Sequence, residues 1–293
     1  MNPTSQQHLP AASAAGLSFT AAGPEFHFDT GFLKGTLHPE GMSSGLIPLT
    51  HSATGTELAG MFGLLSPYRL LTPDVRFGTA AWDWPSTAAV QQDGSVRVDW
   101  RPDEEHPLEM TAVYRWRERN VADLRLTVRP HKNLHHFEVF LASYFNGFPV
   151  TSACVAANPD DGGRRGFMEA PAANGGWQAF PRDEAATALF ADGRWTLEPH
   201  PLPWVIMPRL AAPLAMRRDP DTGLAALLMG RPEDCFAISM PENEDYHRSV
   251  YLSLFGRDFQ AGEEATTRAR LVIDAGLSAE QAMALFDAFL RDE

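Results

Sequence analysis

Residues 106–146 read HPLEMTAVYRW (106–116), RERN (117–120), VADLRLTVRP (121–130), HKNL (131–134) and HHFEVFLASYFN (135–146). Three runs of strand length are thus joined by two short polar connectors. Along residues 122–129 of the second run, apolar residues at even positions alternate with polar residues at odd positions. A period of two gives a strand one buried and one solvated face, the pattern of an antiparallel sheet. The stretch predicts successive antiparallel strands and an all-β fold.

The third run carries large side chains on both of its faces. Its odd positions suit a hydrophobic core: Phe137, Val139, Leu141 and Phe145. Its even positions combine an imidazole, a carboxylate, aromatic rings and an amide: His136, Glu138, Phe140, Ala142, Tyr144 and Asn146. Such a mixture is more typical of the wall of a sugar-binding cleft than of a solvated face. We expect the even face to line a ligand site.

Charge and hydropathy limit the partners. The chain of 293 residues has a formal net charge of −13, and its basic residues are scattered. Nucleic acids and anionic membranes are bound by clustered basic residues, so neither is expected as a partner. No run approaches the ~20 apolar residues that cross a bilayer, and the N-terminus lacks the pattern of a signal peptide. We predict a cytoplasmic protein with a small-molecule or oligosaccharide ligand; the sequence leaves the oligomeric state open.

The chain is predicted to contain one domain. Residues 1–23 are rich in Ala, Ser, Pro and Gln and are expected to be flexible, whereas residues 24–293 continue without a linker or an internal repeat. Residues 158–174 are rich in Gly, Pro and Asp and predict a long loop, either a binding loop or a surface insertion. Three hairpin turns are predicted, because Gly accepts the positive φ of a tight turn. They are Asp93-Gly94, Asp192-Gly193 and Asp221-Thr222-Gly223.

One helix is predicted, over residues 279–291 at the C-terminus. Ser278 can cap its first turn, and Gln281 completes a capping box. The predicted apolar stripe consists of Met283, Leu285, Phe286, Phe289 and Leu290.

The spacing of residues predicts no metal or cofactor site, and binding of a metal through isolated Asp and Glu side chains is left open. The sequence has no CxxC, HExxH, P-loop or GxSxG element. His135 and His136 are adjacent, and neighbours on a regular strand point to opposite faces, so the pair is not a metal signature. Cys154 and Cys235 are far apart in the sequence, which favours two buried free thiols over a disulfide.

The order of these elements resembles the galactose mutarotase-like (aldose 1-epimerase) superfamily. Residues 106–146 resemble that family's central strands, which end in a His-x-Tyr-Phe-Asn element. CFAISMPENEDYHRS (235–249) resembles its late strand and the loop bearing the catalytic glutamate, and FQAGEEATTRARLVI (259–273) resembles its closing turn and last strand. The resemblance implies a large antiparallel supersandwich with a sugar-binding cleft.

The residues that would carry the family's chemistry are replaced. Ala142 stands where the resemblance places a catalytic histidine, and the catalytic glutamate falls at or near Ser239. Where a second histidine would precede a glycine, the chain has Phe77-Gly78-Thr79 and Trp82-Asp83-Trp84. Mutarotation needs a base for the anomeric hydroxyl and an acid at the ring oxygen. The resemblance therefore implies the fold and the cleft, but ordinary mutarotation is not expected.

Glu138 is the first candidate catalytic residue. It shares a strand face with Tyr144, a candidate substrate-binding residue. A carboxylate on a partly buried face can have a raised pKa and serve as an acid or a base. The alternative is a structural ion pair with a cross-strand arginine such as Arg115 or Arg125.

Two histidines are further catalytic candidates. His247 lies in the acidic loop PENEDYHRS (241–249), where Glu244 is a candidate for substrate binding; a solvated loop explains the same residues. His51 lies at a strand end before a Gly-containing turn, where a structural histidine is the alternative.

The segment SPYRLLTPDVRFGTAAWDWPS (66–86) supplies a second group of candidates. Its arginines could pair with a carboxylate or with sugar hydroxyls, and its tryptophans could stack on a pyranose ring. The alternative is core packing and loop tethering. The candidates are the catalytic Asp83 and the substrate-binding Arg69, Arg76, Trp82 and Trp84.

Two functions remain open from the sequence. The leading hypothesis is a carbohydrate-active enzyme that epimerises, eliminates or hydrolyses a sugar or a uronic-acid saccharide by acid/base chemistry. The alternative is a carbohydrate-binding or structural sandwich domain without catalytic activity, which the replaced histidines favour.

Overall fold

A computed structural model of the chain describes residues 17–41, 44–242 and 248–292. More than half of these residues lie in strands, as predicted. The strands, in chain order, are β1 (Thr20–Ala22), β2 (Glu25–Asp29), β3 (Leu33–His38), β4 (Gly45–His51), β5 (Ser66–Leu71), β6 (Ser86–Val90), β7 (Val96–Trp100), β8 (Leu108–Glu118), β9 (Val121–Pro130), β10 (Leu134–Tyr144), β11 (Val150–Asn158), β12 (Arg164–Glu169), β13 (Trp177–Pro181), β14 (Val205–Ile206), β15 (Leu210–Arg218), β16 (Leu224–Gly230), β17 (Cys235–Pro241), β18 (Ser249–Phe259) and β19 (Ala265–Ala275). The α-helices are α1 (Glu184–Phe190) and α2 (Ala279–Arg291).

The strands form three sheets. The largest has the order β12-β11-β15-β16-β19-β9-β8-β7-β6, the second has the order β14-β13-β17-β18-β10-β5, and β1 to β4 form a four-stranded meander. Strand pairs are antiparallel except the short pair β13–β14. The prediction of an antiparallel all-β fold is confirmed.

The hydrophobic core lies between the nine-stranded and six-stranded sheets, and β10 shows how the sequence selects its faces. Phe137, Val139 and Leu141 have no solvent exposure and pack in this core. Phe140 and Tyr144 belong to a separate aromatic cluster on the opposite face of the six-stranded sheet. The strand is therefore buried on both faces, with the even residues turned away from the inter-sheet core.

The nine-stranded sheet is also covered on both sides along β16. Ala226 and Leu228 face the inter-sheet core, while Leu227 and Met229 pack with Phe286 and other residues of α2. This explains why β16 is apolar throughout instead of alternating. The helix itself confirms the predicted bounds and the predicted capping box of Ser278 and Gln281.

Local turn signals were partly right. The Asp93-Gly94 and Asp221–Gly223 turns join β6 to β7 and β15 to β16 as predicted. The hairpin predicted at Asp192-Gly193 is wrong, because the residues before it form α1 and Arg194–Thr196 forms a 3₁₀ turn. Asp183 caps α1 by accepting a hydrogen bond from the Ala186 N–H at 2.8 Å, a local contact that favours helix over strand.

Three further expectations can be compared with the structure. The region 158–174 contains strand β12 at its centre, so it is an edge hairpin in place of a continuous loop. Phe19 is buried and Thr20–Ala22 forms β1, so the sandwich includes residues assigned to the N-terminal segment. Cys154 and Cys235 are buried free thiols, as predicted. None of the described helices has the length and apolarity needed to cross a membrane.

The four-stranded sheet depends on a glycine at a close backbone approach. A Cβ added at Gly35 of β3 would lie 1.9 Å from the carbonyl oxygen of Pro48 in β4 and 3.0 Å from the ring of Phe28. The pairing of β3 with β4 shifts register immediately after Gly35, where the strands are in this contact. Backbone atoms cannot move aside as a flexible side chain can, so only glycine fits.

We predict that Gly35→Ala lowers the free energy of unfolding by about 1–3 kcal/mol, the usual cost of overpacking. Gly166→Ala in β12 is the matched control, since its added Cβ would meet no atom within 4 Å and should change stability by less than ~0.5 kcal/mol. Urea denaturation measures the free energy of unfolding of both variants. Equal stability of the two would show that the contact between Gly35 and Pro48 does not constrain the sheet.

Candidate functional site

A cleft of about 480 Å³ lies on the outer face of the six-stranded sheet. This volume is within the ~300–1,000 Å³ range of small-molecule sites. Its floor comes from β5, β10, β13 and β18, and one wall comes from residues 191–204, here called the strap. The lining residues are Phe62, Tyr68, Arg69, Trp82, Phe140, Tyr144, Trp177, His200, Pro201, Leu202, Pro203 and Tyr251.

A β-bulge in β5 brings two adjacent side chains to the cleft. Phe140 of β10 pairs with Arg69 and Leu141 pairs with Pro67, so Tyr68 is the extra residue between them. On a regular strand Tyr68 and Arg69 would point to opposite faces. The bulge removes that restriction, and both residues line the cleft.

Stacked aromatic rings form one wall. The rings of Tyr68 and Trp82 lie 4.4 Å apart at 16°, and Phe62 stacks near Trp82 at 5.8 Å and 12°. Phe62 also meets Tyr144 edge-on at 4.9 Å. Trp82 is held here by the 3₁₀ turn Ala81–Asp83. The wall offers aromatic surface of the kind that packs against the apolar face of a sugar ring.

Arg69 lines the cleft, and Arg76 lies outside the lining with its guanidinium carbon 5.9 Å from the ring centroid of Tyr68. Neither arginine has a described counter-ion. Arg69 is only 4% exposed, and its Nη1 donates to the His200 carbonyl at 3.2 Å. Arg76 donates to the carbonyls of Pro199 and Thr79. The Nε atoms of both arginines are buried without a hydrogen-bond partner, and neither side chain forms an ion pair with a described carboxylate. Burial, together with the charge of Arg69, lowers the pKa of Arg76.

The strap is fastened to the sheet by Arg194. This side chain donates to Glu138 Oε2 at 2.8 Å, to the His136 carbonyl at 2.8 Å and to Asp192 Oδ2 at 2.7 Å. Although burial disfavours its charge, Glu138 and Asp192 raise the pKa of Arg194. Arg194 of the strap therefore forms an ion pair with the buried carboxylate of Glu138 in the sheet.

Glu138 is closed off from the cleft by this contact. Its side chain has no solvent exposure and is not part of the cleft lining. Burial raises the pKa of Glu138, and the charge of Arg194 opposes that rise. The structural alternative predicted a cross-strand partner, Arg115 or Arg125, but the partner is Arg194 from the strap. The sequence could not indicate this pairing because 56 residues separate the two.

The two positions that the resemblance assigns to catalysis lie in one row. Ala142 of β10 and Ser239 of β17 each pair directly with Tyr251 of β18. The Ser239 hydroxyl is buried without a partner among the described residues. Tyr251 accepts a hydrogen bond from Ser249 at 3.1 Å and donates to Tyr144 at 3.3 Å. Burial raises the pKa of both phenols, so each remains a neutral donor near pH 7.

Besides Glu138 and Arg76, three further sequence candidates lie outside the cleft lining. Trp84 is 1% exposed, donates to the Arg101 carbonyl at 2.8 Å and stacks on His106, so the packing alternative describes it. Asp83 is exposed to solvent, although it lies between two tryptophans in the sequence. His51 is buried at the end of β4, hydrogen-bonded to Thr54 at 2.9 Å.

The candidates in the late loop, Glu244 and His247, lie outside the described residues. The residue that leads into that loop, Glu242, is bound by the buried Arg217. Arg217 also donates to the Phe148 and Ser249 carbonyls, each at 3.0 Å. The carboxylate of Glu242 is thus engaged in a structural ion pair.

The strap contributes the cleft residues that the sequence analysis missed. His200 lines the cleft and adopts a left-handed backbone conformation with φ 65°, uncommon for a residue other than glycine. The run of proline and aromatic residues from 199 to 204 was the available signal, since it has neither helix nor strand periodicity and follows α1. Trp177 was missed because it begins β13, a strand too short to show alternation.

No family model matches the sequence, and no curated protein does. Solved structures do match. A protein from Synechocystis sp. superposes with a TM-score of 0.52 at 11% identity, covering 88% of this chain and 98% of that one. A galactose mutarotase-like protein from Lactobacillus casei gives 0.51 at 9% identity, covering 88% and 100%. A galactose mutarotase related enzyme from Lactobacillus acidophilus gives 0.51 at 8% identity, covering 87% and 99%.

Each comparison covers 87–88% of this chain and 98–100% of the other structure. The expectation drawn from residues 106–146, 235–249 and 259–273 is confirmed at the level of architecture: the chain has the galactose mutarotase-like fold.

Proposed function

We propose that the cleft binds a saccharide bearing an anionic group, such as the carboxylate of a uronic acid. The observation that carries this proposal is Arg69, a buried guanidinium without a described carboxylate partner. A buried charge without a counter-ion is costly, because water no longer solvates it. A ligand carboxylate would supply the missing charge, and the planar guanidinium fork matches its geometry.

The aromatic wall supports a sugar as the remainder of the ligand. Tyr68 and Trp82 offer ring faces, and the neighbouring hydroxyls of Tyr144 and Tyr251 can bond to sugar hydroxyls. The fold adds to this support, since one protein that shares it is described as a galactose mutarotase related enzyme.

The described residues favour recognition over the family's reaction. None of the described residues that line the cleft is a carboxylate, and Glu138 is held by Arg194. Ala142 and Ser239 occupy the positions that the resemblance gives to the proton-transferring pair. Recognition of an acidic saccharide is therefore the function that the cleft supports best.

Acid/base chemistry on the same sugar is a second candidate, and His200 is the observation that favours it. His200 lines the cleft, and its backbone carbonyl accepts a hydrogen bond from the guanidinium of Arg69. Histidine is the side chain whose ordinary pKa suits proton transfer near neutral pH. In such a reaction, His200 would take the role of the histidine that the resemblance places at the position of Ala142.

We predict that the protein binds galacturonate or glucuronate at least ~10-fold more tightly than galactose or glucose, since a hydrogen bond to a charged group contributes about 1.5–3 kcal/mol. Arg69→Gln should remove this preference and leave the affinity for neutral sugars nearly unchanged. Trp82→Ala should weaken the binding of acidic and neutral sugars alike. Isothermal titration calorimetry measures the dissociation constant of each acidic sugar and of its neutral counterpart.

Arg129→Gln is the control for overall charge, because Arg129 is exposed on β9, away from the cleft. It should bind as the wild type does. An acid preference that survives Arg69→Gln, or that Arg129→Gln removes equally, would overturn the assignment of the anion to Arg69.

Glu138 and Arg194 are predicted to act as a structural pair. Arg194→Met should lower the free energy of unfolding by about 3–5 kcal/mol, because it leaves Glu138 buried without its cation. Adding Glu138→Gln to this variant should recover part of the loss, since neither charge is then buried. Urea denaturation reports both effects.

Arg97→Met is the surface comparison for this pair. Arg97 is paired with Asp99 on the solvated face, where an ion pair contributes only ~0–1 kcal/mol. If Arg194→Met costs no more than Arg97→Met, then Arg194 does not fasten the strap. If Glu138→Gln abolishes turnover of a sugar with stability intact, Glu138 is a catalytic residue after all.

Mutarotation of neutral sugars is predicted to be absent. Polarimetry of freshly dissolved α-glucose and α-galactose should show no acceleration at ordinary enzyme concentrations, because the methyl group of Ala142 transfers no proton. Losing a positioned acid or base costs ~10²–10⁴-fold in rate. Acceleration that His200→Ala removes and His51→Ala retains would establish His200 as a relocated acid/base residue.

A further inference from the structure

A second β-bulge places two adjacent histidines on the same side of the molecule. The register of β10 with β18 shifts between Leu134 and Phe137 and again before Glu138. His136 has a left-handed backbone with φ 44°. Both histidines are exposed, and their rings lie 5.9 Å apart at 89°. The expectation that neighbours on this strand point to opposite faces is therefore wrong at His135 and His136.

A carboxylate from the neighbouring strand completes the cluster. Asp258 of β18 accepts a hydrogen bond from the His136 N–H at 2.9 Å, and its Oδ1 lies 3.0 Å from His135 Nδ1. One ligand atom from each of the three side chains lies within 4.8 Å of the other two. In the part of the chain that the structure describes, this is the group of histidine and acidic side chains that meets such spacing.

The backbone of His136 is held on both sides. Its N–H donates to Asp258, and its carbonyl accepts from Arg194 at 2.8 Å. A left-handed residue other than glycine is strained and persists where surrounding contacts fix it. The bulge is therefore in place before any ligand arrives, which reduces the ordering that binding requires.

We propose that His135, His136 and Asp258 bind one divalent transition-metal ion of the zinc type, with water completing the coordination. Two imidazoles and a carboxylate are ligands that Zn²⁺ accepts, whereas Ca²⁺ and Mg²⁺ require oxygen ligands throughout. The cluster lies at the exposed N-terminal end of β10 and C-terminal end of β18 and shares none of its ligands with the cleft. The proposal is independent of the proposed function.

Zinc titration of the untagged protein tests the proposal. We expect one Zn²⁺ per chain with micromolar affinity by calorimetry and by competition with a chromogenic zinc chelator. Affinity for zinc should fall on acidification, because imidazole binds metal only when neutral. A tenfold excess of Mg²⁺ should not compete.

Two conservative variants preserve the backbone while removing ligands. His136→Asn should weaken zinc binding at least about tenfold. The backbone should be preserved, because asparagine tolerates the left-handed conformation. Asp258→Asn should do the same while its amide oxygen still accepts from the His136 N–H. Circular dichroism checks that both variants remain folded.

His38→Ala is the matched control, because His38 and His27 also flank one carboxylate, Glu25, but at 3.6 Å from different oxygens. It should retain wild-type affinity and stoichiometry. Absence of saturable zinc binding in the wild type, or undiminished binding by His136→Asn, would overturn the proposal. Loss of binding in His38→Ala alone would assign the metal to the other histidine pair and overturn it as well.

Discussion

The buried cation Arg194 connects the irregular part of this protein to its sheet. Residues 191–204 have no continuous strand or helix to fix them, yet they form a wall of the cleft. Arg194 brings together Asp192 from its own turn, Glu138 from the interior and the carbonyl of His136. One side chain thus neutralises a buried acid, fixes the strap and supports a strained bulge. Because all three depend on the same guanidinium, they should respond together to its loss.

The cleft is built by departures from regular strand geometry. An extra residue at Tyr68 turns two neighbours of β5 to one side, and the strap lays His200 over them. Bulges are common where a strand must redirect a side chain toward a site. The regular parts of β10 and β18 supply the floor on which these residues rest, including the row of Ala142, Tyr251 and Ser239.

Periodicity in the sequence was sufficient for the regular elements. The alternation along β10 separated Phe137, Val139 and Leu141 from the face of Phe140 and Tyr144, and the capping box located α2. Such patterns report local geometry, in which each residue's direction follows from its neighbours.

The candidate site was harder to predict because it depends on contacts between distant segments. Arg69 and Trp82 could be recognised by residue type, but Trp84 has the same type and packs in the core. The partner of Glu138 comes from a segment whose sequence has no helix or strand periodicity. The alternation of faces fails at His136 because of a β-bulge, and no residue type in the sequence indicates that bulge. Pattern analysis assumes regular geometry, and function here lies where that geometry breaks.

Arg69 and Arg76 already donate hydrogen bonds to the carbonyls of His200 and Pro199. A carboxylate that took the place of the His200 carbonyl would form one hydrogen bond with Arg69 and release another, so the released bond would offset part of the gain in affinity. The Nε of Arg69 has no hydrogen bond to release, and a bond from this donor would contribute in full. An exchange at the other donor would free a carbonyl of the strap, so binding of an anion in the cleft would be coupled to the mobility of the strap.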